Sequence, residues 1–104
     1  VQIAKTICKI LKDNYKIEIQ IKEPNDLYYK GKKLGGILTQ TKVLFGKVNH
    51  LVVGIGINTN KKEFTKELET IATSIYNEFK VIIDTQKFII EFCNEFEKEL
   101  LKLL

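Results

Sequence analysis

One cation, one carboxylate, two amides and stretches of bare backbone lie within reach of one another in the middle of this sequence. The cation is Lys33, the carboxylate Asp26, the amides Asn25 and Asn58; the bare backbone comes from Gly35-Gly36 and Gly54-Ile55-Gly56. Such a set suits a small molecule bearing a phosphate. A lysine answers the charge, amides pair with a polar edge, and glycines let a ligand approach the main chain. Each polar residue alone is ordinary turn or surface chemistry, and either glycine group alone is ordinary for a bulge or close packing under a helix. Arginine is absent from the 104 residues, whereas lysine occurs 17 times. An anion met here is therefore met by lysine, backbone N–H groups or side-chain amides, without arginine's planar clamp. Gly54-Ile55-Gly56 is no dinucleotide fingerprint, because Thr59 stands at the third glycine position and no helix opens there.

Other chemistries fall away on composition. His50 is the only histidine and has no nucleophile or cysteine near it in sequence, which removes histidine-based catalysis and zinc from the leading readings. Cys8 and Cys93 share no metal-like spacing; both are expected as buried, reduced thiols on apolar helix faces, consistent with a cytoplasmic protein. The net charge of +4 comes from lysines spread along the chain rather than from a basic block, so nucleic-acid binding is a weak option. No apolar run approaches the roughly 18 residues a membrane-spanning helix needs. The length allows one domain, or a piece of one.

The elements that must position these residues follow from periodicity. Ile3, Ile7, Ile10 and Leu11 fall at helical spacing, predicting an amphipathic helix over about 2–13. Ile17, Ile19 and Ile21 alternate with polar residues as in a strand with one buried face. Pro24-Asn25-Asp26 is turn chemistry, after which Leu27-Tyr28-Tyr29 resumes a strand and Gly31 predicts a tight hairpin turn. A third strand is expected over about 33–42, a connection at Phe45-Gly46-Lys47, and a central strand covered on at least one face at 51–57. Leu68, Ile71, Ala72, Ile75 and Phe79 predict a helix capped by Thr65. Asp84 caps a last helix with Phe88, Ile89, Phe92, Cys93, Phe96 and Leu100 on its apolar side. The fold class is α+β: a largely antiparallel sheet with helices packed on it.

Three segments carry a resemblance. Lys22-Glu23-Pro24-Asn25-Asp26-Leu27-Tyr28, Gly31-Lys32-Lys33-Leu34-Gly35-Gly36-Ile37-Leu38 and Val53-Gly54-Ile55-Gly56-Ile57-Asn58 resemble biotin protein ligase. That family shows a Lys-Trp-Pro-Asn-Asp segment, a Lys-Leu-x-Gly-Ile-Leu strand and a Gly-x-Gly-Ile-Asn strand in this order and at about these intervals. Glu67-Leu68 and Ala72-Thr73-Ser74-Ile75 resemble its following helix. Lipoate ligases share the fold and a similar lysine but resemble the chain less.

The resemblance implies a class II synthetase-like catalytic domain, of which residues 1–104 would be the second half. It also implies that the winged-helix domain of some members, the C-terminal β-barrel and the arginine-glycine loop of the first half lie outside the chain. Further, it implies an enzyme that joins biotin to ATP as biotinyl-adenylate, with Mg2+, and passes the biotin to a lysine of a biotin carboxyl carrier domain, as in acetyl-CoA carboxylase. By position in the motifs, Lys33 would be the catalytic cation between carboxylate and phosphate. Lys33, Gly36, Ile37 and Gly54 would lie along biotin. Lys22, Asn25, Asp26 and Asn58 would lie on the ATP side, with Asp26 a candidate for magnesium. Glu23 departs from the pattern, placing a carboxylate where the family has tryptophan. On this reading the isolated fragment is inactive. The rivals are a non-catalytic module that self-associates through an exposed sheet edge, and a lysine-rich nucleic-acid-binding domain. An open half-sheet should also leave apolar residues uncovered, and a homodimer is expected under either leading reading.

Overall fold

A computed structural model describes residues 3–103, the side chains of Asn49 and Leu51 excepted; Gln2, where the expected first helix begins, lies outside the described residues. The chain runs α1 (Ile3–Tyr15), β1 (Gln20–Lys22), β2 (Asp26–Tyr29), β3 (Lys32–Leu44), β4 (Lys47–Ile57), α2 (Ile75–Phe79) and α3 (Thr85–Leu101). The four strands form one antiparallel meander in the order β1-β2-β3-β4. The α+β class expected from periodicity is the class observed.

Two hairpins build most of this sheet, and both turn over two residues with positive φ. Lys30 and Gly31 (φ 48° and 83°) join β2 to β3; Phe45 and Gly46 (φ 52° and 74°) join β3 to β4. Positive φ at both central residues matches the right-handed twist of the flanking strands, and glycine adopts it without steric cost. The resulting β3–β4 hairpin is longer than periodicity suggests. Its far half, from Leu38 outward on β3, is solvent-exposed.

The core lies on one face of the near half. Ile3, Ala4, Ile7, Ile10 and Leu11 of α1 pack with Ile17, Leu27, Leu34, Ile37, Ile75, Ile83 and Phe88. Polar contacts tie α1 to α3: Lys9 Nζ lies 3.1 Å from Glu95 Oε2, and the Tyr15 hydroxyl donates to Glu91 Oε1 at 2.6 Å.

Four expectations need correction. First, the helix expected from Leu68 begins only at Ile75, with Ser74 rather than Thr65 as its cap, and residues 66–71 form turns. The reason is tertiary: Ala72 is drawn into a bridge with Lys33, which breaks the helical path. Second, β4 is the last strand of the sheet among the described residues, not a central one, and Val52 and Ile55 are exposed. Third, Ile17 and Ile19 lie ahead of β1 rather than in it, although Ile17 is buried as expected. Fourth, Cys8 is half-buried and Cys93 exposed; both are free thiols. Only Phe88 of α3 is fully inside the core, so the outer part of its apolar side, Cys93 included, faces solvent. The uncovered apolar surface expected of a half-sheet is present: Leu38 is 64% exposed, Val48 65% and Val52 54%.

Candidate active site

Lys33 and Gly36 are three residues apart, so regular alternation would send them to opposite faces of β3. A β-bulge prevents this. Leu27 of β2 pairs with Gly35 but Tyr28 pairs with Lys33, leaving Leu34 as the extra residue. The bulge drops Leu34 into the core and returns Lys33 to the face that carries Gly36. Asp26 is the register partner of Gly36, and Lys33 Nζ lies 3.4 Å from Asp26 Oδ1. A Cβ placed on Gly36 would sit 3.2 Å from that carboxylate oxygen and 3.7 Å from Lys33 Nζ. Cation and carboxylate therefore lean together over a glycine floor.

The floor continues on β4. Gly36 pairs with Gly56 and Leu38 with Gly54, so the face beside Lys33 has no side chain at three of these four positions. Asp26, Lys33, Gly36, Ile37, Leu38, Gly54, Ile55 and Gly56 line an open trough of about 470 Å³. That volume is within the range of small-molecule sites, roughly 300–1,000 Å³. Five of the residues expected at a site, Lys33, Asp26, Gly36, Ile37 and Gly54, are thus brought together. Leu38, Ile55 and Gly56 are additional lining residues. The bulge that selects them has no signature in the strand periodicity.

The remaining three expected residues flank the trough rather than line it. Lys22 pairs with Asp26 across β1 and β2, and its ammonium stands 5.0 Å over the ring of Tyr28. Tyr28 is the register partner of Lys33, a neighbour that the motif reading leaves without a role. Asn25 is an exposed turn residue whose carbonyl accepts from Ile37 N–H at 2.9 Å, which anchors the turn to β3. Asn58 sits just past β4; its N–H donates to Leu34 O at 2.8 Å and its side-chain Nδ2 donates to Thr73 O at 3.2 Å. Glu23 is exposed in the turn before Asn25.

Electrostatically the site is cheap to rearrange. The Lys33–Asp26 pair is partly exposed on both sides, and such pairs contribute about 0–1 kcal/mol. Asp26 can orient the ammonium yet release it to a stronger anion. Among the described residues, no three His, Cys, Asp or Glu side chains gather to hold a metal ion. Asp26 as a single carboxylate fits an ion such as Mg2+ only if phosphates supply most of its ligands, which is how Mg2+ is commonly held.

Comparison with known proteins gives a consistent answer. The family model described as the Biotin/lipoate A/B protein ligase family matches residues 1–58. The bifunctional ligase/repressor BirA of Bacillus subtilis is 44% identical over 61 residues, covering 57% of this chain and 19% of that protein. Biotin--protein ligase 1, chloroplastic, of Arabidopsis thaliana is 33% identical over 82 residues, covering 79% of this chain and 22% of that protein. Among solved structures, apo biotin protein ligase from Aquifex aeolicus superposes with a TM-score of 0.79 at 28% identity, covering 96% of this chain and 43% of that one. The same protein in complex with biotin and ATP gives 0.78 at 27% identity, covering 97% and 41%. The chain thus spans about two-fifths of these structures and about a fifth of the sequence relatives.

Proposed function

This chain belongs to the biotin/lipoate A/B protein ligase family, and from that premise we propose that it supplies the lysine side of a site that activates biotin with ATP. The observation that carries the reading is the Lys33–Asp26 pair above Gly36, on a glycine-floored trough assembled from all three motif segments. The proposed first step joins a biotin carboxylate oxygen to the α-phosphorus of ATP and breaks the bond to the bridging oxygen, releasing pyrophosphate. Its difficulty is bringing one anion up to another. Lys33 is a compact cation that Asp26 holds at the trough, and it offsets that repulsion as charge builds in the transition state. Gly36, Ile37 and Gly54 form the wall along which biotin lies. On this proposal Lys22, Asn25 and Asn58 serve the nucleotide side. Asp26 would be the protein ligand of a phosphate-borne Mg2+, whose chemistry there would be further charge neutralisation. In the proposed second step a lysine amine of a biotin carboxyl carrier domain attacks the anhydride carbonyl, AMP leaves, and the amine gives up a proton.

The reading is tested in the natural polypeptide that carries this sequence. Calorimetry measures binding of biotin and ATP, and pyrophosphate release measures adenylate formation. Lys33→Ala is expected to lower adenylate formation by about 10²–10³-fold, the usual cost of removing one preorganised charge-stabilising group. An unchanged rate sinks the lysine's role. A second reading, self-association through the edge of β4, is favoured by the exposed apolar residues Leu38, Val48 and Val52. Sedimentation equilibrium distinguishes it: a monomer across the micromolar range rules it out.

A further inference from the structure

The register of β3 with β4 ends at the pair Gly35–Ile57, short of Lys33. Past that pair, the side of β3 that met β4 needs another partner. Ile71–Thr73 supplies it, running parallel to β3 where β4 has stopped. Lys33 N–H donates to Ile71 O at 2.8 Å, and Thr73 N–H donates to Lys33 O at 2.9 Å. Both main-chain groups of Lys33 therefore end on one three-residue strap.

Thr73 is the point at which the strap is itself held. It is 3% exposed and is tied from two further directions. Its hydroxyl donates to Glu78 Oε2 at 2.6 Å, and its carbonyl accepts from Asn58 Nδ2 at 3.2 Å. The Glu78 bond reaches α2, a five-residue helix too short to be stable alone. Ser74, fully buried, fastens the same corner by accepting from Asn77 N–H at 3.1 Å and donating to Lys61 O at 2.5 Å. A bond from a hydroxyl to a carboxylate is among the stronger neutral-to-charged kinds, so the Thr73–Glu78 contact is suited to setting a position.

We infer that Thr73 is a positioning residue for the adenylation step: bonded to Glu78, it fixes the strap, and the strap fixes the main chain from which Lys33 reaches the trough. The inference rests on the proposed role of Lys33. It assigns work to a residue outside the three trough-forming segments and outside the stretch matched by the family model, within the later Ala72–Ile75 stretch that so far has no role. It also places Asn58 in the same chain of contacts, since its amide joins the end of β4 to the strap. A residue that only stabilised the fold would change the number of folded molecules and leave turnover per molecule alone. A positioning residue changes turnover.

The test is steady-state pyrophosphate release by the natural polypeptide carrying this sequence, with competent sites counted by biotin calorimetry. Thr73→Val keeps the shape and removes the hydroxyl. It is expected to lower kcat about tenfold, part of the roughly 10²-fold that a 1 Å misplacement can cost, while KM for biotin stays within about twofold. Thr73→Ser and Glu78→Gln preserve the bond and are expected to stay within about twofold of the parent on both parameters. If Thr73→Val fails to fold, Glu78→Ala removes the same bond from its half-buried end and carries the same expectation. A parental kcat in the hydroxyl-free variant, or an equal loss in Thr73→Ser, overturns the inference. Lys33→Ala separates the two levels. If it too keeps parental turnover, the functional reading fails; if it loses turnover while Thr73→Val does not, only the positioning role fails.

Discussion

Gly35 and Gly56 are diagonal neighbours where β3 meets β4, yet adding one methyl group to each should have opposite consequences. A Cβ at Gly35 would lie 2.0 Å from Gly56 O, 2.9 Å from Ile57 Cα and 3.0 Å from Gly56 C. All three are backbone atoms, so no side chain can swing aside. Restoring even the shortest tolerated contact requires the two strands to part by about 1 Å. The neighbouring bond from Asn58 N–H to Leu34 O, now 2.8 Å, would then fall outside hydrogen-bond range. Overpacking costs about 1–3 kcal/mol and a lost hydrogen bond about 1 kcal/mol. Reduced freedom of the unfolded chain returns about 0.4–1 kcal/mol. Gly35→Ala should therefore destabilise by about 2–3 kcal/mol. At Gly56 nothing lies within 4 Å of the added Cβ, so Gly56→Ala should be neutral or stabilise by up to about 1 kcal/mol. Urea unfolding followed by far-UV circular dichroism reads the difference. With a slope of about 1–2 kcal/mol per molar, the Gly35→Ala midpoint should fall by about 1–3 M while that of Gly56→Ala holds or rises. A Gly35→Ala midpoint equal to the parent's would refute the close approach of β3 and β4 on which the trough floor depends.

Other perturbations probe the trough and its supports. Gly36→Val inserts an isopropyl group 3.2 Å from Asp26 Oδ1, into the wall assigned to biotin. A steric cost of about 1–3 kcal/mol should weaken biotin binding about tenfold or more by calorimetry; parental affinity would show that biotin lies elsewhere. Ser74→Ala removes both the cap of α2 and the bond to Lys61 O. Urea unfolding should show a loss of about 1–3 kcal/mol, and a loss under 0.5 kcal/mol would contradict the role given to that corner. Burial, then the hydrogen bond to Glu91, pushes the Tyr15 phenol up to about 12 from its usual 10.0. A raised value favours the protonated phenol in the folded state, so this stabilisation is complete below pH 10 and is lost as pH rises through about 12. The stability gap between parent and Tyr15→Phe should therefore be constant below pH 10 and shrink above it. A gap that widened there would reverse the assignment.

Much of the site was legible because its parts are local. Lys30-Gly31 and Phe45-Gly46 are two-residue turns whose chemistry is visible in the residues themselves, and they set the register that brings Asp26, Gly36 and Gly56 into one row. The parts that were not legible depend on residues distant in sequence. Leu68 and Ile71 keep helical spacing, but pairing of Ala72 with Lys33 overrides it. The apolar run ending at Ile57 reads as a central strand because periodicity registers apolar character and not which neighbour covers it; β4 lies instead at the sheet's edge. Cys93 shares an apolar stripe with Phe92 and Phe96, yet the stripe is wider than the contact α3 makes. Alternation likewise cannot reveal that Leu34 is a bulge, and without the bulge Lys33 would face away from Gly36.

The bridge between Lys33 and Ala72 also orders events in time. The two hairpins close over two residues each, whereas this bridge closes a loop of about 40 residues. Loop-closure entropy rises with length, and contacts distant in sequence reward the chain only after that cost is met. The strands should therefore pair while the lysine's far-side bonds are still open to water. Pulsed hydrogen exchange during refolding should find the Thr73 amide protected after the hairpin amides of β3 and β4; simultaneous protection would contradict this order. A chain caught between the two stages would carry every recognisable motif in register and still lack a fixed ammonium, so activity should appear last, after the fold looks complete by circular dichroism.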